Sequence, residues 1–206
     1  MPERQNSRSV ILDAAESVVV DQGASSLTLD AVAARAGVSK GGLLYNFPSK
    51  DALLEAMVAR LCDHFERSIA KAKESADSGS TDALKAYVIA TLKTDPKQRR
   101  VAAALLAAVA NDTRLLAPMR EHNKRFMAEL ASSGFDFGQS LAIWLATEGL
   151  WLLELFQVLP IATAQRRRLG AELLRLADQR ELTTDRDHGA RRRSGSKELR
   201  SKKRRT

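Results

Sequence analysis

Cysteine is almost missing from this chain. Cys62 stands alone, so no intrachain disulfide can form, and a reducing, cytoplasmic setting is expected. Long apolar runs are missing as well: nothing reaches the roughly 20 residues that cross a bilayer, so no membrane partner is expected. The opening residues MPERQNSR hold no apolar leader, which argues against export. Aromatics make up only 5%, and no segment alternates apolar with polar residues, which excludes a sheet-based fold. There is no glycine-rich phosphate loop and no internal repeat. His64, His122 and His188 are scattered without metal-ligand spacing. No cofactor and no metal are expected, and an enzyme would lack any recognisable nucleophile–base pair.

What remains is a helical composition, 44% hydrophobic and dominated by Ala and Leu. Apolar residues recur every three or four positions almost throughout. Helices are expected near residues 7–22, 28–36, 39–45, 50–76, 82–94, 96–110, 118–132, 137–158 and 160–179. Small polar residues at 77–81 read as a linker. The fourth helix, about 40 Å long at 1.5 Å per residue, is long enough to leave one domain and enter another. The expectation is an all-α, nine-helix, two-domain protein: residues 4–64 in front, 65–180 behind, and 181–206 as a basic tail without structure of its own.

The net charge of +8 is concentrated at that end. Residues 181–206 carry ten Lys and Arg against four Asp and Glu, leaving 23 against 21 for the rest. The charge is therefore no evidence about the folded body. A scaffold that holds nucleic acid through its tail stays open as an alternative, beside a helical enzyme without a recognisable site.

The most informative stretch runs from Thr28 to Lys50. Leu29, Val32, Ala33 and Ala36 form one apolar stripe, with Ala33 small enough for a close helix crossing. Gly37 can take the positive φ of a tight turn, and Val38 and Leu43 anchor a second short helix to the same core. That second helix keeps Ser39, Lys40, Gly41, Leu44 and Tyr45 on its free face. Its exposed N-terminus offers N–H groups to phosphate, as Thr28 does one helix earlier. Two glycines in so short a helix are costly, about 1 kcal/mol each, and imply close approach of a partner to the backbone.

The block from Ile11-Leu-Asp-Ala-Ala to Lys50 resembles the tetracycline-repressor (TetR) family. Thr28-Leu-Asp-Ala-Val-Ala-Ala-Arg-Ala-Gly-Val-Ser-Lys-Gly and Leu43-Leu-Tyr-Asn-Phe-Pro-Ser-Lys-Asp-Ala-Leu carry the likeness. It covers about the first third of the chain. The nine-helix layout is similar too. The resemblance implies a helix-turn-helix over 28–47 on a double-stranded operator, with repression as its sign. Thr28, Ser39, Tyr45 and Lys50 would touch phosphates, while Lys40, Gly41 and Leu44 would lie against the major groove. Leu44 stands where the family often has Tyr, and Asn46 where it often has His. Leu44 would pack on a thymine methyl, and Asn46 would bond phosphate or base. The resemblance thus implies the activity class and not the operator sequence.

Behind the reading module, Trp144 and Trp151 lie two turns apart on one helix with Glu148 between them. They fit either a ligand pocket with one polar handle or plain core packing, and packing is the commoner outcome. Leu105, Val109, Met119 and Phe126 are candidates of the same kind for a small-molecule effector site. Leu141, Leu145, Leu152 and Leu155, with Leu169, Leu173 and Leu176, stripe the last two helices. Residues 137–179 are therefore expected to form a homodimer through a four-helix bundle. Cys62, between Leu61 and Phe65 on the long helix, reads as a small buried apolar residue.

Overall fold

The computed structural model describes residues 2–75 and 82–182 of the chain. Nine α-helices lie within them: α1 Pro2–Gln22, α2 Leu29–Ala36, α3 Lys40–Asn46, α4 Lys50–Glu74, α5 Ala83–Leu92, α6 Pro96–Val109, α7 Ala117–Ala131, α8 Phe137–Leu155 and α9 Thr163–Asp178. Short 3-10 turns occupy Ala24–Ser26 and Thr113–Leu116. Among the described residues extended pairing is limited to a bridge between Phe135 and Leu182. No described helix is long and apolar enough to cross a membrane. The expected linker at 77–81 and nearly all of the basic tail lie outside the described residues.

Six helices begin where a short polar side chain holds the first orphan N–H groups. Thr28, Ser39, Ser49, Asp82, Asp95 and Asp136 each accept from a backbone nitrogen two or three residues on. Three boundaries differ from the expected ones. Helix α1 starts at Pro2, well before residue 7. Helix α8 ends at Leu155 rather than near 158, because the chain turns away through Gln157 at φ 55°. Pro160 does not open α9: that helix starts at Thr163, where Gln165 Oε1 accepts from the Ala162 N–H at 2.8 Å.

The apolar stripes meet in two cores. In the first, Ile11, Ala15 and Val18 of α1 pack on Leu27, Val32, Leu43, Phe47, Leu53, Met57 and Val58. Its floor comes from much further along the chain: Leu105 and Val109 of α6, and Leu115 of the following turn. The second core gathers Ile69, Leu84, Tyr87, Phe126, Trp144, Leu150 and Leu173. Helix α4 contributes to both, with Leu53 to Val58 in one and Ile69 and Ala72 in the other. Each fully buried Leu or Val contributes about 1.5–3 kcal/mol, so both cores hold α4 in place.

Buried charge ties the rear helices together. Glu154 on α8 lies between Arg99 of α6, at 2.8 Å, and Arg166 of α9. Arg180 follows α9 and is buried. It donates to Ser140 Oγ and Ala177 O, both at 2.9 Å, and sits 4.1 Å over the Phe135 ring.

Candidate nucleic-acid interface and internal cavity

Helices α2 and α3 are joined by a turn that glycine makes possible. Gly37 adopts φ 67° and ψ 27°, the left-handed region that a side chain disfavours. Its N–H donates to Ala34 O at 3.3 Å and the next N–H, of Val38, to Ala33 O at 3.1 Å. This double closure fixes the angle at which α3 leaves. Leu43 and Phe47, both fully buried, clamp α3 from below, and Ser39 Oγ accepts from Gly42 N at 3.1 Å. Helix α1 holds the far end of α3: Arg8 donates to Asn46 O at 3.0 Å and lies 4.3 Å over the Phe47 ring.

That clamp leaves one side of α3 outward. Lys40 and Gly41 are exposed, Leu44 is 37% exposed and Tyr45 69%. Thr28 and Ser39 are exposed caps; their oxygens accept from the helix ends, while each hydroxyl keeps a hydrogen to donate outward. Lys50 is exposed at the start of α4. Asn46 is placed differently. Its amide donates to Gly42 O at 3.0 Å and Ser7 Oγ at 3.3 Å, so it is committed to holding α1 against α3. A Cβ added to Gly42 would crowd Ser39 Oγ at 3.3 Å, whereas one on Gly41 meets nothing closer than 4.0 Å. Packing within the chain therefore accounts for Gly42 and not for Gly41.

Behind the first core, α4, α5, α6, α7 and α8 line a cavity of about 240 Å³ that opens to solvent. Of the expected lining residues, Met119, Glu148 and Trp151 face it. Leu105 and Val109 do not: the end of α6 turns them under α1 and α4, into the first core. Phe126 and Trp144 stand behind the wall, with ring centroids 4.5 and 6.3 Å from that of Tyr87, the first tilted and the second edge to face. Phe65, Tyr87, His64, Gln98 and His122 also line the space. Tyr87 sits in an unbroken apolar run and the histidines have no motif around them, so only a three-dimensional arrangement reveals these five.

Polar chemistry gathers at specific points of this wall. Tyr87 Oη donates to Glu148 Oε1 at 2.5 Å. Burial pushes the Glu148 carboxyl above its usual range, opposed by that hydrogen bond and by nearby His122. Burial, with the Glu148 charge behind it, raises the Tyr87 phenol well above its ordinary value, keeping it a donor. His122 Nδ1 lies 2.9 Å from Glu66 Oε1, which Arg125 also approaches at 2.5 Å.

A second group reaches toward α1. Arg60 on α4 pairs with Asp13, lies 3.2 Å from Glu16 Oε1, and donates to Ser9 O at 3.3 Å. Its Nε also lies 3.5 Å from His64 Nε2, and His64 Nδ1 is 3.4 Å from the Gln98 amide. The Arg60 guanidinium and the Gln98 amide nitrogen both only donate, and a neutral imidazole accepts at one nitrogen alone, so His64 accepts from one of the two at a time. Burial first, then Arg67 and Arg60, hold His64 below its ordinary pKa, which favours that neutral form. Cavity wall and α1 are thus joined through two side chains.

Comparison with known proteins agrees with this architecture. Residues 11–57 match the family model for bacterial regulatory proteins of the tetR family, and residues 81–178 match the tetracyclin repressor-like C-terminal domain. The HTH-type transcriptional regulator SrpR of Pseudomonas putida is 42% identical over 57 residues, 28% of this chain. That match spans only 27% of SrpR's own length. Among solved structures, a TetR-family member from Streptomyces coelicolor A3 is 25% identical with a TM-score of 0.64, covering 81% of this chain and 97% of its own. The multidrug binding protein EbrR, complexed with malachite green, is also 25% identical, with a TM-score of 0.62 and coverage of 82% and 96%.

Proposed function

The chain belongs to the tetR family of bacterial regulatory proteins, and on that basis we propose that it is a sequence-specific DNA-binding regulator of transcription, released from its operator by a small ligand. The observation that carries this reading is the outward side of α3, held by the Gly37 turn and by Leu43, with Lys40, Gly41, Leu44 and Tyr45 exposed on it. Residues 4–64 form the reading domain and residues 65–180 the sensing and dimerising domain. The protein works in the cytoplasm, and repression is the sign that the family supplies. An enzyme reading has no comparable support.

Two copies assemble through residues 137–179. Leu145 is 57% exposed on α8, and Leu152, Leu153, Phe156, Leu169 and Leu176 continue an apolar surface across α8 and α9. A monomer gains nothing from that exposure, whereas a four-helix bundle buries it. The dimer presents two α3 helices to major grooves about 34 Å apart, or a multiple of it, on an inverted repeat. Thr28, Ser39, Tyr45 and Lys50 hold phosphates, while Lys40, Gly41 and Leu44 meet base edges. Asn46 acts indirectly, by fixing α3 on α1.

The cavity is the effector site. A ligand that fits it better when α4 has shifted moves the equilibrium between two spacings of the reading domains, and only that preference does work. Arg60 and His64 give the shift a path from the cavity wall to α1. That EbrR is a multidrug binding protein complexed with malachite green supports this use of the rear domain.

Footprinting with the purified full chain on the DNA upstream of its own gene tests the reading. A protected inverted repeat is expected, and deletion of residues 181–206 leaves it in place. Absence of any protected site at low salt overturns the proposal; loss of binding on deletion moves the function to the tail.

A further inference from the structure

The cavity wall is mostly apolar, yet it contains a carboxylate that no salt bridge reaches from the described residues. Other shielded acids here have one. Glu154 sits between Arg99 and Arg166, and Glu16 against Arg60. Glu148 receives the Tyr87 hydroxyl on Oε1, and no ion pair reaches it from the described residues. Holding a carboxylate in apolar surroundings without a countercharge is unfavourable, so something outside the chain is the natural complement.

A second, independent feature points the same way. The His122 side chain is only 9% exposed and its Nδ1 hydrogen is directed to the Glu66 carboxylate. Its other nitrogen, Nε2, is buried and has no hydrogen-bond partner among the described residues, and His122 is one of the residues that line the cavity. In the neutral ring that nitrogen offers a lone pair and so requires a donor. Phe65, Tyr87 and Trp151 supply aromatic walls, suited to a flat body and to a cation near ring faces. Lys93 and Asp95 also border the cavity, at the turn between α5 and α6; their formal charges cancel.

We infer that the cavity takes a flat, apolar or aromatic ligand carrying a protonated nitrogen group, whose N–H donors engage Glu148 and His122 Nε2 together. The inference rests on the cavity being the effector site and narrows the ligand to one charge class. A neutral ligand of equal shape leaves Glu148 uncompensated, and an anion is repelled by it. A volume of about 240 Å³ favours a body of one or two rings.

Three single-ring probes of matched shape test this directly: benzamidine, benzamide and benzoate, which differ chiefly in charge. Binding to the full chain is followed by tryptophan fluorescence, because Trp151 lines the cavity and Trp144 packs against Tyr87 behind it. Calorimetry provides a second readout. Benzamidine is expected to bind at least about tenfold more tightly than benzamide, with benzoate weakest. Glu148→Gln keeps an acceptor for Tyr87 and is expected to bring benzamidine and benzamide within about twofold. Equal or tighter binding of benzamide to the unaltered protein overturns the inference. So does failure of benzamidine to saturate at millimolar concentration, or a Glu148→Gln protein that keeps the preference. Should Glu148→Gln not fold, the ranking on the unaltered protein decides. The assay contains no DNA, so a negative result beside an intact footprint removes the ligand assignment alone, whereas a missing footprint removes the regulator reading itself.

Discussion

Lys40 Nζ lies 2.9 Å from Asp30 Oδ1, so the cation at the start of α3 is held by an acid on α2. Both side chains are largely exposed, which makes the pair weak and easily exchanged for a phosphate or a base. In the proposed complex Asp30 competes with DNA for Lys40. Asp30→Asn is expected to raise operator affinity several-fold and to steepen its salt dependence. Lys50→Ala should act in the opposite direction, lowering the slope of log affinity against log salt by about one unit. Anisotropy titrations at several salt concentrations check both; unchanged slopes remove both residues from the interface.

Gly41 separates folding from binding. A methyl group there meets nothing closer than Ser39 Oγ at 4.0 Å, and alanine suits a helix better than glycine by about 1 kcal/mol. Gly41→Ala should raise the urea midpoint while weakening operator binding at least tenfold, since in the proposed complex the new methyl stands between backbone and DNA. A stabilised variant with full affinity would place the contact elsewhere.

Gly37→Ala tests the turn. No neighbour lies within 4 Å of the added carbon, so the effect comes from φ 67° alone. A loss of about 1 kcal/mol is expected in urea unfolding, without steric disruption of the core. A neutral result would mean that the turn relaxes, and operator binding should then fall instead.

Arg60 offers a pH-resolved test. Burial raises the Glu16 carboxyl above its usual 4.5, and Arg60 is the first group opposing that rise. Arg60→Ala leaves Glu16 without its cation and is expected to cost about 2 kcal/mol at neutral pH. An acid whose folded-state pKa is raised destabilises the fold as pH climbs through and above its unfolded value. The deficit should accordingly shrink as pH falls through the raised folded-state value and be gone below about 4.5. Glu16→Gln in the same background should recover most of it; a deficit that neither pH nor Glu16→Gln alters assigns the cost to lost packing.

Cys62 should be sluggish toward alkylating reagents. Burial, with Glu66 and Asp63 nearby, pushes its thiol from 9.0 up to about 11. At pH 8 that lowers the thiolate fraction about a hundredfold relative to the unfolded chain. Iodoacetamide kinetics by mass spectrometry, with and without urea, measure the ratio. Comparable rates in both states would contradict the burial.

How much was legible in the sequence depends on the distance over which each signal acts. Caps and breakers work within three or four residues, so Thr28, Gly37, Ser39 and Ser49 marked the reading module in their own neighbourhood. Pro160 misled because it permits a helix start without compelling one, and Gln165 set the true beginning. The cavity was half visible. Met119, Glu148 and Trp151 were singled out, but periodicity tells only that a face is apolar, and not which neighbour it meets. Leu105 and Val109 thus went to a different core. Tyr87, His64 and His122 gain their meaning from side chains tens of residues away, and no local pattern records that.

Leu105, Val109 and Leu115 have a practical bearing on hybrids. Splicing the first four helices onto an unrelated sensing half would open a hole beneath Ile11 and Met57, because the plug that fills it is encoded downstream. Such a chimera needs a donor whose sixth helix presents side chains of equal bulk, or else the transplanted front end loosens before it ever meets a ligand.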